Sequence, residues 1–175
     1  MPSEKRLPVA DWIIRPLETR DHPAVLRLNA ENRPALAAVE AADLPELLAH
    51  DGDHVVAAGA TGEVLGYLLA FPRDSSYGDS EISALRGHLA EPFLYICQVA
   101  IGREHRGRGI GRAFYDEIAA RARRRGIHTL CCDVNTAPAN PESMAFHHRL
   151  GFERLCDGTA SNGFAIAFLV RRLGG

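Results

Sequence analysis

The segment Arg106-Gly107-Arg108-Gly109-Ile110-Gly111 stands between an apolar run, Phe93 to Ile101, and a helix-like run, Arg112 to Arg125. A strand that feeds a glycine-rich turn and then a helix aims unpaired backbone N–H groups, and the positive end of the helix dipole, at one small volume. Such a turn is an anion cradle of the size of a diphosphate. Glycine lets the ligand reach the backbone and tolerates the positive φ that such turns often require. Arg106, Arg108 and Arg112 add mobile positive charge around the rim.

The chain has 175 residues, 46% hydrophobic and 24% charged, with a net charge of −2. This describes one ordinary globular domain, and the expected division is a flexible N-terminus over 1–11 followed by a single domain over 12–175. The charge balance argues against nonspecific nucleic-acid binding as the main role. It is unevenly placed, however: residues 103–125 hold eight Arg against three acids, whereas residues 1–60 hold ten acids against six bases. The basic block lies where a polyphosphate ligand needs it, although a solvated helix face explains Arg121, Arg123, Arg124 and Arg125 equally well. Cys97, Cys131, Cys132 and Cys156 form no C-x-x-C pair and fall in or just after apolar runs, so they read as buried reduced thiols. No apolar run approaches the ~18 residues of a membrane helix, and the N-terminus shows no signal-peptide core. A cytoplasmic location with no membrane partner follows by default.

Periodicity and turn residues divide the rest. Trp12 to Pro16 reads as a first strand. Thr19 or Asp21 caps a helix reaching about Asn32 whose apolar side is Val25, Leu26 and Leu28, and Asp43 caps a short second helix. His54 to Gly59 and Val64 to Phe71 read as a hairpin around Thr61-Gly62. Pro72 to Pro92 is longer than most loops and holds a candidate helical turn near Glu81 to His88, which suits a lid, a ligand-binding loop or a floppy surface excursion. Phe93 to Ile101, the helix Gly109 to Arg125 and Thr129 to Asn135 then make a β-α-β unit with parallel strands. A helix over Pro141 to Leu150 and two strands, Phe152 to Cys156 and Ala165 to Leu173, complete the pattern.

A second block, Asn140-Pro141-Glu142-Ser143-Met144-Ala145-Phe146-His147-His148-Arg149-Leu150-Gly151-Phe152, follows the first by about 30 residues. Together the two blocks resemble the paired signatures of the GNAT superfamily of N-acetyltransferases: Arg-x-x-Gly-x-Gly for the acetyl-CoA diphosphate, and an Asn-led helix ended by Leu-Gly-Phe. The resemblance covers roughly Trp12 to Leu173 and is sharp only at these blocks. It implies an α/β fold of order β-α-α-β-β-β-α-β-α-β-β, with a mixed sheet flanked by helices and a splayed pair of parallel strands. It also implies acetyl-CoA as cosubstrate, no metal, and direct acetyl transfer to a primary amine of a small molecule or peptide in a ternary complex. A homodimer is an expectation at the level of the family alone.

On this resemblance Val99, Ala100 and Ile101 lie along the acyl-pantetheine arm. Arg106, Gly107, Arg108, Gly109, Ile110, Gly111 and Arg112 receive the diphosphate, with Asn140, Ser143, Phe146 and His147 lining the same cofactor. Transfer needs a neutral amine, a stabilised oxyanion and a proton for the departing thiolate. The family often has Tyr for the last task at position 147, where this chain has His147; Asn140, Ser143 and His147 share a helix face, and imidazole titrates near enough to neutrality to donate. The competing reading is that His147 only packs or hydrogen-bonds. Asp133 is the leading base, because it projects from the same strand face as Asn135 toward the splay. It could instead hold a loop or an ordered water. Glu31 and Tyr95 are weaker candidates, and Cys97 as a nucleophile is weaker still.

Three other functions are weighed against this one. In a dinucleotide-binding turn the third Gly falls at Arg112, and five residues, Gly102 to Arg106, separate the strand from the first Gly. A P-loop hydrolase needs Gly-Lys-Ser/Thr, which is missing. A module that binds acetyl-CoA or CoA without catalysis, as sensor or structural ligand, remains the alternative, because no obvious base is present.

Overall fold

The computed structural model describes residues 11–174, so the expectation of a flexible segment over 1–11 lies, Asp11 apart, outside the described residues. The chain runs β1 (Trp12–Pro16), α1 (His22–Glu31), α2 (Leu44–Ala49), β2 (Val55–Gly59), β3 (Val64–Pro72), α3 (Ser80–His88), β4 (Leu94–Ile101), α4 (Ile110–Arg124), β5 (Thr129–Ala137), α5 (Pro141–Arg149), β6 (Glu153–Thr159) and β7 (Ala165–Arg172). Seven strands form one sheet in the order β1-β2-β3-β4-β5-β7-β6. Every neighbouring pair is antiparallel except β4 and β5, which are parallel and joined by α4.

Two apolar layers cover the sheet. On one face Ile110, Phe114, Tyr115, Ile118, Ala119 and Ala122 of α4 pack against Leu65, Leu68, Leu94, Ile96, Leu130 and Cys132. These α4 positions follow the 3.6-residue helical period, which is why the Arg-rich positions between them face outward. On the other face Val25 and Leu28 of α1, Leu44 of α2, and Ile82 and Leu85 of α3 cover Tyr67, Leu69, Phe71, Tyr95 and Phe168. Enclosed on both sides, β3 is buried at all nine positions, which explains its continuous apolar sequence.

The expected element order lacked α3. The segment after β3 carries a nine-residue helix, not a single turn. Asp79 caps it by accepting the Ile82 N–H at 2.8 Å, and Ile82 and Leu85 are fully buried. The Arg86 guanidinium donates to the carbonyls of Arg73 (2.8 Å), Ser75 (2.8 Å) and Tyr77 (2.9 Å), bracing the approach to the helix. Tyr77 stacks on Phe71 with ring centroids 3.9 Å apart.

The basic block also divides. Arg121 contacts Glu117 at 2.7 Å, and Arg125 reaches Asp51 and Asp53 at 2.7 and 2.9 Å. Arg125, with Arg121 3.8 Å from Asp53, clasps the C-terminal end of α4 to the turn before β2. The basic charge near the glycine turn is therefore that of Arg106, Arg108 and Arg112.

Candidate active site at the splayed strands

β4 and β5 pair only from Leu94 to Ile96 against Leu130 to Cys132. Beyond that point both continue, β4 to Ile101 and β5 to Ala137, and they part. Val99, Ala100 and Ile101 stay paired with β3 on one side and face the opening on the other. Main-chain groups in such a gap need partners, and an extended chain of amides can supply them like an added strand. A bulge marks the start of the opening: Leu69 opposes Gln98 while Ala70 opposes Ile96, so Cys97 is the extra residue. The period-2 alternation breaks there. Gln98 is thereby turned onto the α1 face, while Val99 and Ile101 pack on the α4 face.

The glycine turn follows β4. Gly107 and Gly109 have φ of 72° and 82°, and a Cβ at either would meet nothing within 4 Å. Glycine is thus required by the backbone conformation, and the space beside it is open. Among the described residues, no backbone N–H from Gly107 to Arg112 reaches a protein acceptor; the first that does is Ala113, to the Gly109 carbonyl at 3.0 Å. Gly111 differs from the other two. It lies inside α4, and a Cβ there would come 3.2 Å from the Phe146 ring, so its smallness serves the contact between α4 and α5. Arg106 donates to Asn32 at 2.8 Å, Arg108 contacts Asp11, and Arg112 lies 3.9 Å from Asp116. Exposed contacts of this kind contribute about 0–1 kcal/mol and leave the guanidinium groups available to a phosphate.

Asn140 caps α5 by accepting the Ser143 N–H at 3.1 Å, with Pro141 in the first turn. His147 is 6% exposed. Its Nε2 lies 2.6 Å from the Tyr115 hydroxyl and its Nδ1 2.8 Å from the Ser143 carbonyl. One tautomer satisfies both contacts, with Nδ1–H donating to the carbonyl and Nε2 accepting from the phenol. Burial lowers the imidazole pKa and so favours the neutral ring, with the Ser143 carbonyl opposing the shift. Both nitrogens are occupied in this arrangement. His148 is exposed.

Asp133 is the residue just beyond the last β4–β5 pair. Its Oδ1 accepts the Tyr95 hydroxyl at 2.6 Å. Burial raises its carboxyl to about 7, with Glu81 and Asp79 adding to the rise and the Tyr95 hydrogen bond opposing it. That value suits a group exchanging a proton with an amine near neutrality. Asp79 lies beside it on the α3 segment, bonded to the Tyr77 hydroxyl, which is 3.5 Å from Cys97 Sγ. Burial and then Asp79 push the Cys97 thiol well up, so it stays protonated and a poor nucleophile. Glu81 is buried and accepts from the N–H and hydroxyl of Ser161 at 2.9 and 3.1 Å. Glu31 is held by Arg27 at 2.8 Å on the surface of α1.

An open cavity of about 390 Å³ lies between the α1–α2 loop and the β6–β7 turn, with Arg33, Leu36 and Ala37 on one wall and Ser161 and Phe164 on the other. Ser161 connects its rim to Glu81, and Asn135 Nδ2 reaches the Ala35 carbonyl of the loop at 3.3 Å. Among the described residues no cluster of His, Cys, Asp and Glu is arranged to hold a metal, and no helix is long and apolar enough to cross a membrane.

Sequence reasoning singled out neither Tyr115, Asp79, Glu81 nor the Tyr77 hydroxyl. The Asp79-x-x-Ile82 spacing is a readable helix cap. The others meet their partners only through tertiary packing.

The sequence model described as the Acetyltransferase (GNAT) family matches residues 14–152. An L-methionine sulfoximine/L-methionine sulfone acetyltransferase of Pseudomonas aeruginosa is 33% identical over 100 residues, 57% of this chain and 49% of that protein. The match thus spans about half the length of that relative. Among solved structures, the ribosomal-protein-S18-alanine N-acetyltransferase of Escherichia coli is similar with a TM-score of 0.70 and 15% identity, covering 94% of this chain and 95% of that one. Arabidopsis thaliana NAA60 in complex with acetyl-CoA gives 0.73 at 17% identity, covering 94% and 99%.

Proposed function

Because the chain belongs to the GNAT family of acetyltransferases, we propose that it transfers acetyl from acetyl-CoA to a primary amine by direct attack in a ternary complex. The observation that carries this reading is the continuity of the opening. The β4–β5 splay, where Val99 to Ile101 have no β5 partner and the Ile101 carbonyl meets Asn32 Nδ2 at 3.5 Å, runs into N–H groups from Gly107 to Arg112 that are unpaired among the described residues. One extended, diphosphate-bearing thioester fits that path. Val99, Ala100 and Ile101 take the pantetheine arm; Arg106, Gly107, Arg108, Gly109, Ile110, Gly111 and Arg112 surround the diphosphate; Asn140, Ser143, Phe146 and His147 form the α5 wall.

Asp133 acts as the base in this reading, accepting the ammonium proton directly or through water before the nitrogen lone pair attacks the thioester carbonyl; the tetrahedral intermediate then collapses with cleavage of the C–S bond, and the proton shed by the new amide nitrogen passes through water to the CoA thiolate. The Val99 N–H is the oxyanion donor. Since both His147 nitrogens are engaged, the geometry favours a positioning role for it, holding Tyr115 and the first turns of α5, over that of proton donor. The amine enters from the side of the cavity between the α1–α2 loop and the β6–β7 turn, whose rim reaches the Glu81 carboxylate through Ser161. Cytoplasmic residence, by default, and a homodimer, on family grounds, belong to the same reading.

The test is release of CoA from acetyl-CoA, with mass detection of the acetylated product, across a panel of amines. The panel contains L-methionine sulfoximine, L-methionine sulfone and a peptide beginning with alanine, after the activities named for the similar proteins. Turnover of any amine supports the transferase. Tight acetyl-CoA binding with no acyl loss to any amine supports the alternative, a non-catalytic CoA-binding module.

A further inference from the structure

We propose that Gln98 is a positioning residue which, together with Asn29, hangs the α1–α2 loop over the opening between β4 and β5 and so sets the wall of the acceptor cavity. This rests on the reading of that cavity as the acceptor side.

The Cys97 bulge makes the contact available. With regular alternation Gln98 would share the α4 face with Ile96; the extra residue turns it toward α1 instead. There it enters a buried polar network. Gln98 Oε1 accepts the Tyr67 hydroxyl at 2.8 Å and Asn29 Nδ2 at 3.2 Å, and Gln98 Nε2 donates to the Ala37 carbonyl at 3.1 Å. Asn29 Nδ2 also donates to the Ala37 carbonyl, at 2.9 Å, and Asn29 Oδ1 accepts the Val39 N–H at 3.1 Å. Asn29 and Tyr67 are fully buried and Gln98 nearly so.

Loops normally lie on the surface with mobile backbones. This one is gripped at Ala37 and Val39 by side chains of β4 and α1, and at Ala35 by Asn135 of β5. It is therefore tied to both arms of the splay. Of the residues so held, Ala37 lines the cavity, and Arg33, Leu36 and Ala38 of the same loop complete that wall. A neutral amide is required at position 98. A carboxylate there would keep the acceptor for Tyr67 and Asn29 but turn an oxygen toward the Ala37 carbonyl, leaving it without the Gln98 donor.

Hydrogen exchange on Gln98→Leu, Asn29→Leu and Tyr67→Phe tests this, alongside acetyl-CoA affinity and steady-state kinetics with an amine of the panel. Loss of the grip is expected to speed exchange at the Val39 amide and its neighbours about tenfold or more in the first two variants. Tyr67→Phe, which leaves both donors to Ala37 in place, is expected to stay within about threefold. Acetyl-CoA affinity should change less than about twofold in Gln98→Leu, while KM for the amine rises roughly tenfold with kcat nearly kept. Unchanged exchange in Gln98→Leu overturns the proposal, as does faster exchange with an unmoved amine KM. If Asn29→Leu does not fold, Gln98→Leu carries the comparison. If the wild-type protein acetylates no amine, the acetyltransferase reading falls, and the exchange result alone decides whether Gln98 holds the loop.

Discussion

The Tyr95 hydroxyl donates a 2.6 Å hydrogen bond to Asp133 from one parallel strand to the next, just where β4 and β5 cease to pair. It fixes the carboxylate at the mouth of the splay, while burial keeps its pKa high, at about 7.

Asp133→Asn tests the base. With Asp133 in that role, wild-type kcat/KM rises as pH climbs through about 7. The variant is expected to lose roughly 10²-fold or more and to lack that limb. Stability should move the opposite way. The unfolded carboxyl ionises above its ordinary 3.8 while the folded one stays protonated to about 7. The Asp133 contribution to stability therefore falls as pH rises across that window, with a limiting slope of about 1.4 kcal/mol per pH unit. Asn carries no such penalty, so denaturant melts at pH 5 and 8 should show the variant gaining on the wild type at the higher pH.

His147→Phe separates packing from chemistry. It leaves the buried Tyr115 hydroxyl without the partner it has at 2.6 Å, a loss of about 1–3 kcal/mol. The double variant His147→Phe/Tyr115→Phe removes both polar partners and should recover much of that cost. Equal losses in turnover and acetyl-CoA affinity fit a positioning residue. A selective loss of kcat, with stability and affinity kept, would return the proton-donor role to His147.

The phosphate turn was legible because its signal is local: an apolar strand, glycines at positions needing positive φ, then an amphipathic helix. The Asn140 cap and the helix after it were legible for the same reason. Strand pairing came through less completely. Alternation places Asp133 and Asn135 on one face, but nothing local indicates that Cys97 is bulged or that β5 runs on to Ala137. The α3 helix was hidden by a flank of Pro, Ser and Gly whose order comes from Arg86 bonding three distant carbonyls. Likewise Tyr115 and His147 are 32 residues apart, and Asn29 and Gln98 are 69 apart. Such contacts belong to packing between elements, which periodicity does not encode.

His54 predicts acid sensitivity away from the site. Both its ring nitrogens are buried without partners among the described residues, its ring lies edge-on to Phe71, and burial lowers its pKa to about 4. The unfolded ring takes up a proton below its ordinary 6.5 while the folded ring stays neutral to about 4. The His54 contribution to stability is thus lost as pH falls across that window, at up to about 1.4 kcal/mol per pH unit. His54→Leu should lie within about 1 kcal/mol of the wild type at pH 7 and exceed it by a growing margin toward pH 5. Chemical denaturation at the two pH values measures the difference.

The central claim is that the splay and the glycine turn hold acetyl-CoA. Calorimetric titration of acetyl-CoA into the wild type and Gly109→Glu tests it most directly, with thermal unfolding as a check that the variant is folded. Gly109 has φ of 82° and open space beside it; Glu there strains the turn and places negative charge where the diphosphate would lie. The account predicts 1:1 binding to the wild type and a loss of at least about 100-fold, roughly 2.7 kcal/mol, in the folded variant. Equal affinity in the two proteins, or no binding to the wild type, would contradict it.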